Sequence, residues 1–243
     1  MRPDSERGPH RVALVMPALD EEGSIGEVVQ GFRSARHPSG RPWLERVVVV
    51  DNGSRDATAA RARGAGAEVV DAPERGYGHA CRAGLAHLGG GRAGLPEVVV
   101  FADGDGAQVP DELGELLAPI VRGEADMVIG SRVARGEPRG MTPAQRFGNR
   151  LAVLLLRLRH GISTTDLGPF RAIRWPALEL LGPLDPTYGW TIEMQIRAAQ
   201  RGLRVVEVDV SNRARWAGQS KVSGTLRGVL GAGYKILRFV LAG

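Results

Sequence analysis

Five short apolar, β-branched runs, Val12 to Met16, Val47 to Val50, Glu68 to Val70, Val98 to Phe101 and Met127 to Ile129, are separated by helix-length stretches. That alternation constrains the fold more than any other feature. Strands spaced by helical patterns pair in parallel through crossovers, and parallel strands covered on both faces read as continuous apolar runs. The class is therefore α/β. The helical segments are Ser24 to Ala35, Asp56 to Ala65, Gly78 to Leu88 and Asp111 to Val121, and Ser24 with Glu27 has capping-box spacing. Beyond about residue 131 come a Gly, Pro and Arg-rich loop, a helix from about Pro143 to His160, a short strand near Phe170 to Ile173, a helix near Trp190 to Arg201 and a strand from Arg204 to Val210. No linker or repeat interrupts the 243 residues, so one domain is expected: a first half of about 11–131, a second of about 132–223 and a basic amphipathic helix over about 224–243.

Composition of 43% apolar and 24% charged residues excludes a disordered chain. The net charge of +5 is polarised, because no acidic residue follows Asp209 while Arg213, Arg215, Lys221, Arg227, Lys235 and Arg238 do. An excess of this kind suits phosphate-bearing partners. Aromatic residues make up only 5%, too few for the interleaved pattern of nucleic-acid readers, so a nucleic-acid or anionic-ligand binding module is the remote alternative and no nucleic-acid partner is expected. Cys81 stands alone, which rules out an internal disulfide and fits a reducing compartment. The first ten residues are polar and lack the apolar run of a secretory signal, and no run approaches the length of a spanning helix. A cytoplasmic protein is expected, with a peripheral position on the inner membrane face open to it. Within Gln145 to His160, Phe147, Leu151, Leu154, Leu155 and Leu158 form one stripe among Arg146, Arg150, Arg157 and Arg159. The spacing predicts a core-facing stripe with a solvated basic face; the alternative is a helix lying at an anionic bilayer.

Ligands of open α/β sheets bind at the carboxyl ends of the strands. Here those ends are acidic: Asp20-Glu21-Glu22 after the first strand, Asp51-Asn-Gly-Ser54 after the second, and Asp103-Gly-Asp105-Gly106 after the fourth. Carboxylates converging on one edge need a cation or positive ligand groups between them. Asp103 and Asp105, two apart directly after a buried strand, suit Mg²⁺ or Mn²⁺ held together with substrate phosphates. No Gly-x-x-x-x-Gly-Lys-Ser/Thr occurs, which removes a P-loop, and Gly76-Tyr-Gly78-His-Ala-Cys81 lacks the third glycine of a dinucleotide fingerprint.

The ordered set Pro17-Ala-Leu-Asp-Glu21, Val-Val-Asp51-Asn-Gly-Ser54, Asp103-Gly-Asp105, Gly130-Ser-Arg132, Asp166-Leu-Gly-Pro-Phe-Arg171 and Gly218-Gln-Ser-Lys221 resembles the family 2 glycosyltransferases of GT-A fold. Within them it is most similar to the dolichyl-phosphate mannose or glucose synthase branch. The resemblance, over roughly residues 11 to 223, implies that Pro17, Ala18, Glu21 and Asp51 frame the nucleoside and that Asp103 and Asp105 hold the sugar diphosphate and its metal. It implies that Arg132, with Arg146 or Arg150, meets an acceptor phosphate, and that Arg215 and Lys221 lie in a loop closing over the donor diphosphate. The branch carries a glutamine metal ligand two residues beyond the second aspartate; here that position is Ala107, with Gln108 next.

The activity so implied is inverting, metal-dependent transfer of a hexose from UDP- or GDP-hexose to a polyprenyl phosphate. A soluble hydroxyl acceptor is the alternative, and it requires a general base, for which Glu193 and Asp166 are the candidates. Trp190 is either a sugar-stacking platform or a core residue.

Overall fold

The computed structural model describes residues 11–91, 94–133 and 141–216. Lys221 and the helix expected over about 224–243 lie outside the described residues. Seven strands, β1 (Val12–Ala18), β2 (Arg46–Asp51), β3 (Glu68–Asp71), β4 (Val98–Phe101), β5 (Met127–Ser131), β6 (Arg171–Arg174) and β7 (Val205–Asp209), form one sheet in the order β3-β2-β1-β4-β6-β5-β7. The five strands of the first half all point one way, as their alternation with helices requires. β6 enters antiparallel between β4 and β5, and β7 pairs parallel with β5. The ends of β1, β2, β4 and β5 therefore share one edge.

Among the described residues seven α-helices accompany the sheet: α1 (Ile25–Ser34), α2 (Thr58–Gly64), α3 (Tyr77–Gly90), α4 (Leu113–Val121), α5 (Pro143–His160), α6 (Trp175–Leu181) and α7 (Trp190–Gln200). Side chains of a strand alternate faces, and β1 does so. Leu14 and Met16 join Ile25, Val29, Phe32 and Leu117 in one cluster; Ala13 and Val15 join Cys81, Leu88, Leu178 and Trp190 in the other. Cys81 is thus a packing residue. At Gly84 on α3 an added Cβ would come within 2.6 Å of Val15 Cγ1, so only glycine lets this helix approach the sheet so closely. No expected helix corresponds to α6, whose Pro176 sits in its first turn, where a missing N–H interrupts no helical bond.

Two local expectations need correction. Ser24 precedes α1 but does not cap it; its hydroxyl donates to Gly104 O at 2.9 Å, fastening the helix start to the loop after β4. A capping box does open α5, between Thr142 and Gln145. The stripe of α5 is also core-facing only in part. Leu155 packs with Ala152 and Leu156 against Ile192 and Ile196 of α7, whereas Phe147 is 70%, Leu154 52% and Leu158 74% exposed. Asn149, on the inward side, donates to Thr165 O and accepts from Leu167 N–H, and this orients the helix with Phe147, Leu154 and Leu158 outward.

Candidate active site

At the carboxyl edge, successive strand ends are fastened to one another. Register pairs Pro17 with Val50 and Ala18 with Asp51, so the first two motifs lie side by side. Asp20 N–H donates to Ser54 Oγ (3.0 Å), the Asp20 carboxylate accepts from Arg55 N–H (2.8 Å), and Glu21 N–H donates to Thr58 Oγ1 (2.8 Å). Asp51 accepts from Ser54 N–H at 3.0 Å. Asn52, which was not a candidate in the sequence, is buried; it donates to Ala72 O and Glu74 O and accepts from Gly76 N–H, tying β2 to the loop that leads into α3.

The turn after β4 carries the two aspartates. Asp105 Oδ1 accepts from Ala107 N–H at 2.9 Å, leaving Oδ2 for other partners. Gln108 is buried and braces Asp103: its Oε1 accepts the Asp103 N–H at 3.0 Å and its Nε2 lies 3.5 Å from Asp103 Oδ2. Burial, and then the charge of Asp105, push the Asp103 carboxyl up to about 7, against the opposing charges of Arg132 and Arg215. Two carboxylates in such mutual repulsion call for more positive charge, and their oxygens are the donor type that a hard divalent cation takes. Arg215 already answers part of that demand. Its Nη1 lies 3.0 Å from Asp105 Oδ2 and its Nη2 donates to Glu21 Oε1. Asp103, Asp105, Glu21 and Arg215 thus share one site, whose carboxylate oxygens are of the kind a divalent cation takes.

Arg132, just beyond β5, makes a fork-to-fork pair with Asp166: Nε to Oδ2 at 2.7 Å and Nη2 to Oδ1 at 2.8 Å, with the Arg132 backbone N–H adding 2.9 Å. Asp166 is fully buried, so both oxygens of this candidate base are spent on holding an arginine. Glu207 of β7, unforeseen in the sequence, anchors the same loop by accepting from Thr164 Oγ1 (2.6 Å), Thr165 N–H (2.9 Å) and Asp166 N–H (3.3 Å). Glu193, the other candidate base, is 6% exposed and accepts from Asp185 N–H and Arg197 Nη2. It fixes the loop before α7, in which the Asp185 carboxylate receives the Thr187 and Gly189 N–H groups. Trp190 is a core residue, 2% exposed and edge-on to Phe101. Arg146, whose Nε donates to Met141 O, and exposed Arg150 lie on α5, the helix whose Asn149 touches the Asp166 loop. Arg171 is buried and donates to the carbonyls of Leu167, Gly168 and Thr191, locking the antiparallel strand to α7.

An uncharacterized glycosyltransferase of Mycobacterium tuberculosis is 39% identical over 217 residues, 89% of this chain and 92% of the relative. An undecaprenyl-phosphate mannosyltransferase of Micrococcus luteus is 31% identical, over 90% of each chain, and a polyprenol monophosphomannose synthase of Mycolicibacterium smegmatis is 32% identical over 92% and 85%. A glucosyl-3-phosphoglycerate synthase from Mycobacterium tuberculosis, solved with Mn²⁺, UDP and glucosyl-3-phosphoglycerate, matches with a TM-score of 0.74 at 24% identity, over 99% of this chain and 81% of that one. The architecture is the GT-A fold. The model of the glycosyl transferase family 2 matches residues 13–181, and the chain is a glycosyltransferase belonging to that family.

Proposed function

We propose that this glycosyltransferase moves a hexose, with inversion, from UDP- or GDP-hexose to a polyprenyl phosphate at an anionic membrane surface. The observation that carries the choice of acceptor is the state of the two candidate bases: Asp166 is clamped on Arg132, and Glu193 on Arg197 and the Asp185 N–H. A hydroxyl acceptor needs a base to take its proton, whereas a phosphate acceptor is already anionic and needs positive guides. Two relatives above 30% identity bear names of polyprenyl-phosphate mannosyl transfer, which supports the same choice.

In this reading Pro17, Ala18, Glu21 and Asp51 frame the nucleoside. Asp103 and Asp105 would hold a divalent cation, Mg²⁺ or Mn²⁺, which would supply charge neutralisation for the departing diphosphate. Arg215 and Lys221 add positive charge to that leaving group. Arg132, immobilised by Asp166, receives the acceptor phosphate together with Arg146 and Arg150. An acceptor oxygen attacks the anomeric carbon as the bond from that carbon to the diphosphate breaks, and no proton has to be removed. The outward stripe of α5, apolar and free of acidic residues along Pro143–His160, supports a bilayer as the place where the acceptor is met. Among the described residues no helix is long and apolar enough to cross a membrane.

Glu193→Gln and Arg132→Gln test the reading. Glu193→Gln should keep turnover within about tenfold of wild type, since loss of a general base costs about 10²–10⁴. Arg132→Gln should reduce transfer to polyprenyl phosphate far more. The reverse ranking, with both variants folded, would favour a hydroxyl acceptor.

A further inference from the structure

We infer that Arg215 is a built-in stand-in for the divalent cation: in the donor-free protein its guanidinium holds the place between Asp105 and Glu21, and it turns to the diphosphate only when metal and donor arrive together. This rests on the proposed metal–diphosphate site and adds an order of events to it.

The geometry is that of a competitor. Asp105 has one oxygen committed to the Ala107 N–H, and the other, Oδ2, is the one Arg215 takes at 3.0 Å. The second arm of the same guanidinium reaches Glu21, so one planar cation bridges two nearly buried carboxylates. A divalent ion approaching Asp105 Oδ2 has to displace that arm, because two cations cannot share the oxygen without mutual repulsion. The arginine is itself incompletely satisfied here. Its Nε is buried with no hydrogen-bond partner among the described residues, an unfavourable state for a donor. Diphosphate oxygens offer acceptors to that Nε and to both released arms. The donor therefore turns competition between arginine and metal into cooperation.

The backbone around Arg215 is fastened to the same turn. Arg213 N–H donates to Ala107 O at 2.9 Å, Trp216 N–H to Asp105 O at 3.1 Å, and Ser211 N–H to Glu112 Oε2 at 2.7 Å. Trp216 lies over Gly106, whose φ is +78° and where an added Cβ would meet the indole at 2.6 Å. Residues 211–216 form a strap whose backbone and side chain both engage the Asp105 turn, so the guanidinium is delivered to a fixed position.

The test is Mn²⁺ affinity, read from the electron paramagnetic resonance of free Mn²⁺, first with the metal alone and then with UDP added. Wild type should bind Mn²⁺ alone weakly and far more tightly with UDP. Arg215→Met should bind Mn²⁺ alone about tenfold tighter or better, while the tightening contributed by UDP shrinks by a similar factor. Arg215→Lys, which keeps the charge and loses the fork, should fall between them. If wild type binds Mn²⁺ with UDP but Arg215→Met gains nothing for Mn²⁺ alone, the stand-in is overturned and the site reading survives. If neither protein binds Mn²⁺ with UDP or, in a repeat, with GDP, the metal–diphosphate reading fails and takes the inference with it. The gain must vanish in Arg215→Met, Asp105→Asn; its persistence would place the metal elsewhere and also overturn the inference.

Discussion

Arg132 and Asp166, 34 residues apart, meet through two side-chain bonds of 2.7 and 2.8 Å, and the Asp166 side chain is completely buried. A carboxylate in that position is worth little as a base and much as a clamp. Removing one partner of a buried pair leaves an uncompensated charge, at a cost of about 3–5 kcal/mol. Asp166→Ala should therefore lower stability by several kcal/mol in urea denaturation. Asp166→Asn, which keeps the shape, should stay folded yet raise the KM for polyprenyl phosphate by about tenfold while leaving donor KM unchanged. Equal effects on both substrates would separate Asp166 from the acceptor.

The exposed stripe of α5 makes a prediction in which stability and membrane binding part company. Phe147 and Leu158 are 70% and 74% exposed, so Phe147→Glu with Leu158→Glu should leave stability within about 0.5 kcal/mol of wild type. Co-sedimentation with phosphatidylglycerol vesicles should fall sharply, and sedimentation with phosphatidylcholine vesicles should be weak for both proteins. A large loss of thermal stability would mean that the stripe is covered within the folded chain.

Glu68 sets an acid-side stability effect. Arg46, donating at 2.8 and 2.7 Å, and then His87 hold its carboxyl down at about 2. A carboxyl lowered in the folded state contributes stability above its unfolded value of about 4.3, and that contribution disappears as pH falls toward 2. The Glu68 side chain is 40% exposed, so the pair is worth at most about 1 kcal/mol. Glu68→Gln should cost about that much at pH 6 and nothing near pH 2, as read by urea midpoints across that range.

Gly84 tests the packing of α3 on the sheet. A Cβ there would sit 2.6 Å from Val15 Cγ1 and 3.0 Å from Val50 Cγ2, both in the core. Gly84→Ala should destabilise by about 1–3 kcal/mol through overpacking, with donor binding retained at temperatures where the variant is folded.

The strand ends were legible in the sequence because a buried strand must be apolar and must stop where polar residues begin; Asp51, Asp103 and Asp105 mark those stops. Arg215 could be placed near the diphosphate by motif, but its pairing with Glu21, 194 residues away, could not. The braces escaped for the same reason. Asn52 satisfies backbone groups 20 to 24 residues on, and Glu207 reaches back 41 to 43 residues to the Asp166 loop. The inward face of α5 is not legible from spacing alone, because Asn149, Ala152 and Leu156 also recur at helical spacing. Periodicity identifies a stripe without saying which stripe meets the core, and here Ala152, Leu155 and Leu156 fit against α7 while Phe147, Leu154 and Leu158 face out.

Acceptor identity is tested most directly by offering labelled UDP- and GDP-hexoses, with Mn²⁺ or Mg²⁺, to a short-chain polyprenyl phosphate, to the matching polyprenol and to soluble hydroxyl acceptors in parallel. Label should enter the polyprenyl phosphate and not the polyprenol, because the anionic oxygen needs no base and Arg132 needs a phosphate. Transfer to a hydroxyl acceptor, with the polyprenyl phosphate left unmodified, would contradict the proposed function.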